Sequence, residues 1–133
     1  MIGIDTNVLV RYLTQDDEQQ ALIATNIIKQ HESSSQSLFI SNIVICELVW
    51  VLERGYKYSK KDIVSVLQAI LSTVEFNFEY YETLWLSTME FEKSNADFSD
   101  ILIGKIASLK GCMHTITFDI KATKLQEFKL AGG

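Results

Sequence analysis

The chain has 133 residues, 47% of them hydrophobic and 22% charged, which is the composition of an ordinary globular protein with one core. Its apolar runs fall far short of the roughly 20 residues that cross a bilayer, and its first residues lack the basic start and apolar stretch of a secretion signal. We therefore expect a single domain over residues 1–133, in the cytoplasm and not in a membrane. The 12 basic and 17 acidic residues give a net charge of −5, which argues against tight nonspecific binding to nucleic acid.

Predicted strands and helices alternate along the chain. Strands are predicted at 1–4, 38–40 and 113–118, with an edge strand or extended connector around 74–78. Helices are predicted at 7–13, 16–30, 42–53, 60–71, 79–94, 99–110 and 122–128. Ser41 and Ser59 are the expected N-caps of two of these helices, and Gly55 and Gly111 end two of them. This alternation with short connections predicts an α/β fold, in which helices cover both faces of a mostly parallel sheet.

Two of the apolar strands end in an aspartate, Asp5 after the first strand and Asp119 after the last. If these strands are parallel neighbours, both carboxylates emerge at the rim where α/β sheets bind ligands. Each aspartate taken alone is equally well explained as a helix N-cap or a turn residue.

Glu47 is expected in the helix after Ser41. At 3.6 residues per turn it shares a face with apolar neighbours that we expect to point inward, namely Ile43, Val44, Trp50 and Val51. A buried carboxylate without a partner is costly, so this position indicates either a functional role or an ion pair. The nearest basic residue along the helix, Arg54, lies about two turns away, which favours the functional role.

Asp100 opens the helix predicted at 99–110, and Asp97 lies in the connection before it. Aspartates in a first helical turn are common because they compensate the helix dipole. Asp100 also lies above Gly104 and Ala107, a face of small residues that allows a close approach to a neighbouring element.

Several carboxylates in one pocket require either protonation or a bound cation. Oxygen ligands without histidine or cysteine select Mg²⁺ or Mn²⁺, and such a site is suited to activating water for attack on a phosphodiester. Zinc has no support, because His31 and His114 are isolated. Cys46 and Cys112 lie in apolar segments and are expected to be buried free thiols.

The ordered set of acidic motifs resembles the PIN-domain family. The resemblance covers essentially the whole chain and rests on residues 1–13 (MIGIDTNVLVRYL), 45–52 (ICELVWVL), 96–103 (ADFSDILI) and 117–119 (TFD). The closest subgroup is that of the VapC-type toxins of type II toxin–antitoxin pairs. The resemblance implies a three-layer α/β/α sandwich, Mg²⁺- or Mn²⁺-dependent cleavage of RNA, frequent homodimerisation and a small antitoxin partner.

Carried over position by position, the resemblance assigns the catalytic, metal-binding quartet to Asp5, Glu47, Asp100 and Asp119. It implies supporting roles for Asn7 and Thr117 and an additional acid at Asp97. Three lysines close in sequence to the acidic motifs are candidate phosphate contacts or ordinary surface charges, namely Lys105, Lys121 and Lys124.

Three other interpretations compete with an RNA-cleaving toxin. Haloacid-dehalogenase phosphatases also place an aspartate after the first strand, but they require a second one two positions later, where this chain has Asn7. A PIN nuclease acting in RNA maturation or on single-stranded DNA remains open, and gene context would distinguish it from a toxin. A non-catalytic binding module of the same fold would be expected to have lost acids that this chain retains.

Overall fold

A computed structural model describes residues 1–133, which form two units, residues 1–81 and residues 82–133. The first unit contains a parallel sheet with the strand order β1–β2–β3. Its strands and helices are, in chain order, β1 (Ile2–Gly3), α1 (Thr6–Thr14), α2 (Glu18–Gln30), β2 (Leu38–Ile40), α3 (Asn42–Arg54), α4 (Lys60–Leu71) and β3 (Phe76–Phe78). Leu38 in the central strand lies opposite both Ile2 and Phe76.

The second unit contains helices and two short strands that pair with each other in parallel. Its elements are, in chain order, α5 (Tyr81–Lys93), α6 (Phe98–Leu109), β4 (Thr115–Thr117), a 3₁₀ turn at Ala122–Lys124 and β5 (Phe128–Leu130). The first residue of α5, Tyr81, still belongs to the first unit. The rings of Phe91 and Phe98 meet edge to face, with their centroids 5.7 Å apart, inside the small core between α5 and α6. The predicted α/β class with parallel strands is confirmed.

Local signals in the sequence set most helix ends. The Ser41 hydroxyl accepts a hydrogen bond from the Val44 amide (3.3 Å), and the Ser59 hydroxyl accepts one from the Asp62 amide (3.2 Å). Gly111 follows α6 at φ +96°, a conformation that favours glycine. The expected strand around 74–78 is present as β3, which starts two residues late and forms an edge of the sheet.

The helix predicted at 122–128 is wrong. This segment forms a single 3₁₀ turn and then β5, which pairs with β4 from Thr115 opposite Phe128 to Thr117 opposite Leu130. Local propensity favours a helix here, but pairing with β4 satisfies the backbone of this segment instead.

Two further predictions are wrong, one on which strands are neighbours and one on the burial of a cysteine. The strands that precede Asp5 and Asp119 belong to different sheets, since β1 pairs with β2 and β4 pairs with β5. A period-2 pattern identifies a strand but not its partner, and β5, the strand that pairs with β4, was not predicted, since the helix predicted at 122–128 covered only its first residue. Cys46 is half-buried, but Cys112 is exposed in the turn after α6 and is not the buried thiol that was predicted. No helix has both the length and the apolar character needed to cross a membrane.

Candidate active site

Asp5 and Glu47 are brought together in the first unit by a residue between them, Thr6. The Thr6 amide donates to Asp5 Oδ1 (2.8 Å), which makes Asp5 the N-cap of α1. The Thr6 hydroxyl donates to Glu47 Oε1 (2.6 Å), although the two residues lie 41 positions apart in sequence. The Thr6 side chain is buried, whereas Asp5 and Glu47 are exposed, so one buried residue holds two carboxylates at the surface.

The predicted inward position of Glu47 is wrong. The buried face of α3 is formed by Ile45, Leu48, Val49 and Leu52, at the spacing i, i+3, i+4 and i+7. Ile43 and Trp50, which were expected beside Glu47 in the core, are 72% and 54% exposed. Helix α3 has two apolar stripes along its length. The fold buries the stripe that contains Ile45 and Leu48, and leaves the stripe that contains Glu47 exposed. A functional role for Glu47 therefore cannot rest on burial, and rests instead on its bond to Thr6.

Asp97, Asp100 and Asp119 come together in the second unit. Asp97 is the exposed residue before α6, where its side chain makes no cap hydrogen bond, and Asp100 lies half-buried in the first turn. Burial raises the pKa of the Asp100 carboxyl, and the negative charges of Asp119 and Asp97 raise it further. A hydrogen bond between the Asp100 and Asp119 side chains acts in the same direction. This cluster concentrates negative charge that a cation would neutralise.

Thr117 fixes the chain next to Asp119. The Asp119 amide donates to the Thr117 hydroxyl (3.0 Å), and Asp119 Oδ1 accepts from the Lys121 amide (2.9 Å). Thr117 therefore bonds the backbone of Asp119 and not its carboxylate, and its supporting role stays a prediction.

Two other residues singled out by sequence lie apart from the acids. Asn7 is exposed and lines a groove of about 220 Å³ between α1 and α2, and no hydrogen bond joins it to Asp5 or Glu47. The ammonium of Lys105 pairs with Glu127 (3.5 Å) and both side chains are largely buried, so the interpretation of Lys105 as a solvated surface charge does not hold.

The donor atoms of these acids suit a hard divalent cation. Both groups offer carboxylate and hydroxyl oxygens with no histidine or cysteine among them, which is the ligand chemistry of Mg²⁺ and Mn²⁺. Within either unit, no three acidic, histidine or cysteine side chains are arranged to hold a metal ion. A cation is therefore indicated by the chemistry of these oxygen donors together with the clustering of Asp97, Asp100 and Asp119.

Thr6 is the residue of this candidate site that sequence reasoning missed. Its position between Asp5 and Asn7 was visible, but its contact with Glu47 joins segments 41 residues apart. Only the packing of α1 against α3 brings these segments together.

An α/β fold with parallel strands and acids after β1, on α3, at the start of α6 and after β4 defines a recognised class of domain. Residues 2–127 match the PIN domain family, and the chain belongs to that family. It is 30% identical over 122 residues to the VapC ribonuclease of Aquifex aeolicus (strain VF5). The similarity covers 92% of this chain and 90% of that protein.

Proposed function

We propose that this protein is a Mg²⁺- or Mn²⁺-dependent endoribonuclease and the toxin of a type II toxin–antitoxin pair. The observation that carries the proposal is the cluster of Asp97, Asp100 and Asp119, in which burial and then the negative charges of Asp119 and Asp97 raise the pKa of Asp100. Similarity to a VapC ribonuclease over 92% of the chain supports RNA as the substrate class. The proposal includes a cytoplasmic location, a homodimer and a small cognate antitoxin.

The proposal assigns metal binding to the four acids of the family pattern. These acids are Asp5, Glu47, Asp100 and Asp119, whose carboxylates would supply oxygen ligands to bound divalent cations. A bound divalent cation supplies a Lewis acid that activates water and offsets charge on the phosphoryl oxygens. The cation would also stabilise the ionised carboxylates, because like charges a few ångströms apart otherwise favour protonation.

The remaining residues orient these ligands. Thr6 holds Asp5 through its amide and Glu47 through its hydroxyl, at 2.8 and 2.6 Å. Thr117 fixes the backbone of Asp119. Asp97, exposed and without a cap hydrogen bond, is free to act from outside the direct ligand set, where it would orient water near the ion.

A PIN nuclease that acts in RNA maturation or on single-stranded nucleic acid is the second candidate. It would use the same acids and the same ion, so the chemistry of the site does not separate the two functions. The distinction lies in the partner, because a toxin requires a neighbouring gene whose product silences it.

Brief induction in a bacterial host tests the toxin function. The protein alone is expected to stop growth within minutes and to produce discrete new 5′ ends in total RNA, and co-expression of the neighbouring small gene is expected to abolish both. Discrete RNA cuts without growth arrest would favour the maturation nuclease. Unchanged growth and unchanged RNA would contradict both functions, provided that the wild-type protein accumulates in folded form.

A further inference from the structure

The outer face of α3 carries an exposed tryptophan stacked with an arginine. The Arg54 guanidinium lies 5.2 Å from the centroid of the Trp50 ring, and Trp50 is 54% exposed. An exposed tryptophan with a cation over one face is a ready platform for a flat, electron-rich ring. Neither residue belongs to the acidic quartet or to its supporting set.

The segment that follows Trp50 is strongly basic within an acidic protein. Residues 54–61 (RGYKYSKK) contain four of the 12 basic residues of the chain and no acidic residue. Tyr56 and Tyr58 alternate with these cations. The net charge of −5 conceals this local concentration of positive charge, which we name the basic turn (residues 54–61).

The basic turn is anchored to the fold. The Tyr56 hydroxyl donates to Asp16 Oδ2 (2.5 Å) and accepts from Arg11 Nη1 (3.0 Å), and the Tyr56 and Tyr58 rings meet edge to face at 6.3 Å. Lys57 is exposed at φ +57°, where the backbone turns sharply. An anchored turn presents its cations without the full entropic cost of ordering a loop on binding.

This surface begins beside Glu47. Trp50 and Arg54 lie three and seven residues after Glu47 on the same helix face, about 4.5 and 10.5 Å along the axis at 1.5 Å per residue. At ~3.4 Å per stacked nucleotide, that distance corresponds to roughly three nucleotides. A strand with a phosphate at the acids would therefore reach Trp50 and then the basic turn.

We propose that Trp50, Arg54 and the basic turn form a subsite for single-stranded RNA, with Trp50 stacking on a base and the cations contacting phosphates. The inference rests on the proposed ribonuclease function and extends it to the substrate class. Stacking requires an unpaired base, which a duplex does not offer. A second copy of the chain would be the alternative occupant, and the tests below distinguish the two.

Binding of a short unstructured oligoribonucleotide in EDTA tests the subsite apart from cleavage. Trp50→Ala is expected to weaken binding on the order of 5- to 150-fold, the range found for loss of one base–aromatic stack. Trp50→Phe keeps a stacking ring and should lose less. Leu22→Ala, which truncates another exposed hydrophobic side chain (62%) on α2, is the matched control and should bind as the wild type does. Melting curves of all three variants verify folding.

Salt dependence tests the phosphate contacts. Arg54→Gln, Lys57→Gln and Lys61→Gln are each expected to reduce the slope of log K against log salt by ~0.7, the value per phosphate of a single strand. Lys29→Gln, which removes an exposed charge on α2, should leave the slope unchanged.

Three results would overturn the subsite. The first is that Trp50→Ala binds RNA as tightly as Leu22→Ala does. The second is that none of the three basic-turn variants changes the salt slope. The third is that Trp50→Ala changes from dimer to monomer while its RNA binding is unaltered. The proposed function fails separately, if the wild type binds the oligonucleotide but does not cut RNA with Mn²⁺.

Discussion

Thr6 is a buried threonine whose hydroxyl has one acceptor, the Glu47 carboxylate at 2.6 Å. A buried hydroxyl without a partner is costly, so this bond is strongly favoured whenever α1 packs on α3. It restricts Glu47, an otherwise mobile surface side chain, to one position. The same residue fixes Asp5 through its backbone. One residue thus orders two proposed metal ligands, Glu47 through its side chain and Asp5 through its backbone amide.

Replacing Thr6 by valine should therefore weaken metal use rather than folding. Valine keeps the shape and removes the hydroxyl, and loss of such a supporting bond typically costs about 10–100-fold in metal affinity or activity. Thr6→Ser retains the hydroxyl and should stay near the wild type. Cleavage rate measured against Mn²⁺ concentration distinguishes the two, and a wild-type Mn²⁺ dependence for Thr6→Val would contradict a positioning role.

Asp100 and Asp97 differ in burial and in contacts. Asp100 is half-buried with its side chain bonded to Asp119, whereas Asp97 is exposed at the N-cap without a cap bond. The first arrangement is that of a direct ligand and the second that of a residue acting through water.

We predict that Asp100→Asn is inactive at any practical Mn²⁺ concentration and that Asp97→Asn keeps activity that added Mn²⁺ partly restores. Circular dichroism of both variants controls for folding. A dead Asp97→Asn beside an active Asp100→Asn would reverse the assignment of the two residues.

The corner between α1 and α2 is held by Asp16, which joins Arg11, Thr14 and Tyr56. The Tyr56 hydroxyl and then the Thr14 hydroxyl lower the pKa of Asp16, and the Arg11 charge adds to this. A lowered folded-state pKa contributes stability above the ordinary value near pH 4, and this contribution is lost as the pH falls through the folded value. The same bonds anchor the basic turn.

Tyr56→Phe is expected to lower the melting temperature at pH 7 and to reduce the further loss of stability below about pH 4. Tyr58→Phe is the matched control, since Tyr58 lies beside Tyr56 but makes no bond to Asp16. Parallel pH profiles for Tyr56→Phe and the wild type would show that the network contributes nothing measurable.

The packing of β5 against helix α6 depends on a glycine, Gly104. A Cβ at Gly104 would lie 2.6 Å from the Phe128 ring and 3.1 Å from Glu127 Cβ, so β5 reaches the helix only because this position is bare. The predicted close-packing face of α6 is thus present, and it packs against Glu127 and Phe128, the end of the segment that was predicted to be helical.

Gly104→Ala should destabilise the protein despite its better helix propensity. Overpacking typically costs about 1–3 kcal/mol, against a gain of about 1 kcal/mol from replacing a helical glycine. Gly3→Ala is the control, because a Cβ there meets nothing within 4 Å. Chemical denaturation measures both, and a Gly104→Ala variant at least as stable as the wild type would contradict this packing.

For the protein as a whole, sequence predicted what local rules determine. The N-caps at Ser41 and Ser59, the helices that they begin and the central strand β2 were all predicted within a residue or two. The pairing of strands was not predictable, because β5 is specified by its contact with β4 and not by its own residues. The exposed face of α3 was not predictable either, because two apolar stripes on this helix compete for burial. The acids were identified from their order along the chain, but Thr6 emerged only with tertiary structure.

The central claim is that the acids of the family pattern serve metal-dependent cleavage of RNA. The most direct measurement is the cleavage rate of a defined RNA by purified protein, with Mn²⁺ and with EDTA, for the wild type, Asp5→Asn and Asp100→Asn. We predict cutting by the wild type only with Mn²⁺, and near-complete loss of cutting in both variants. Equal cutting in EDTA, or wild-type rates in either variant, would contradict this claim.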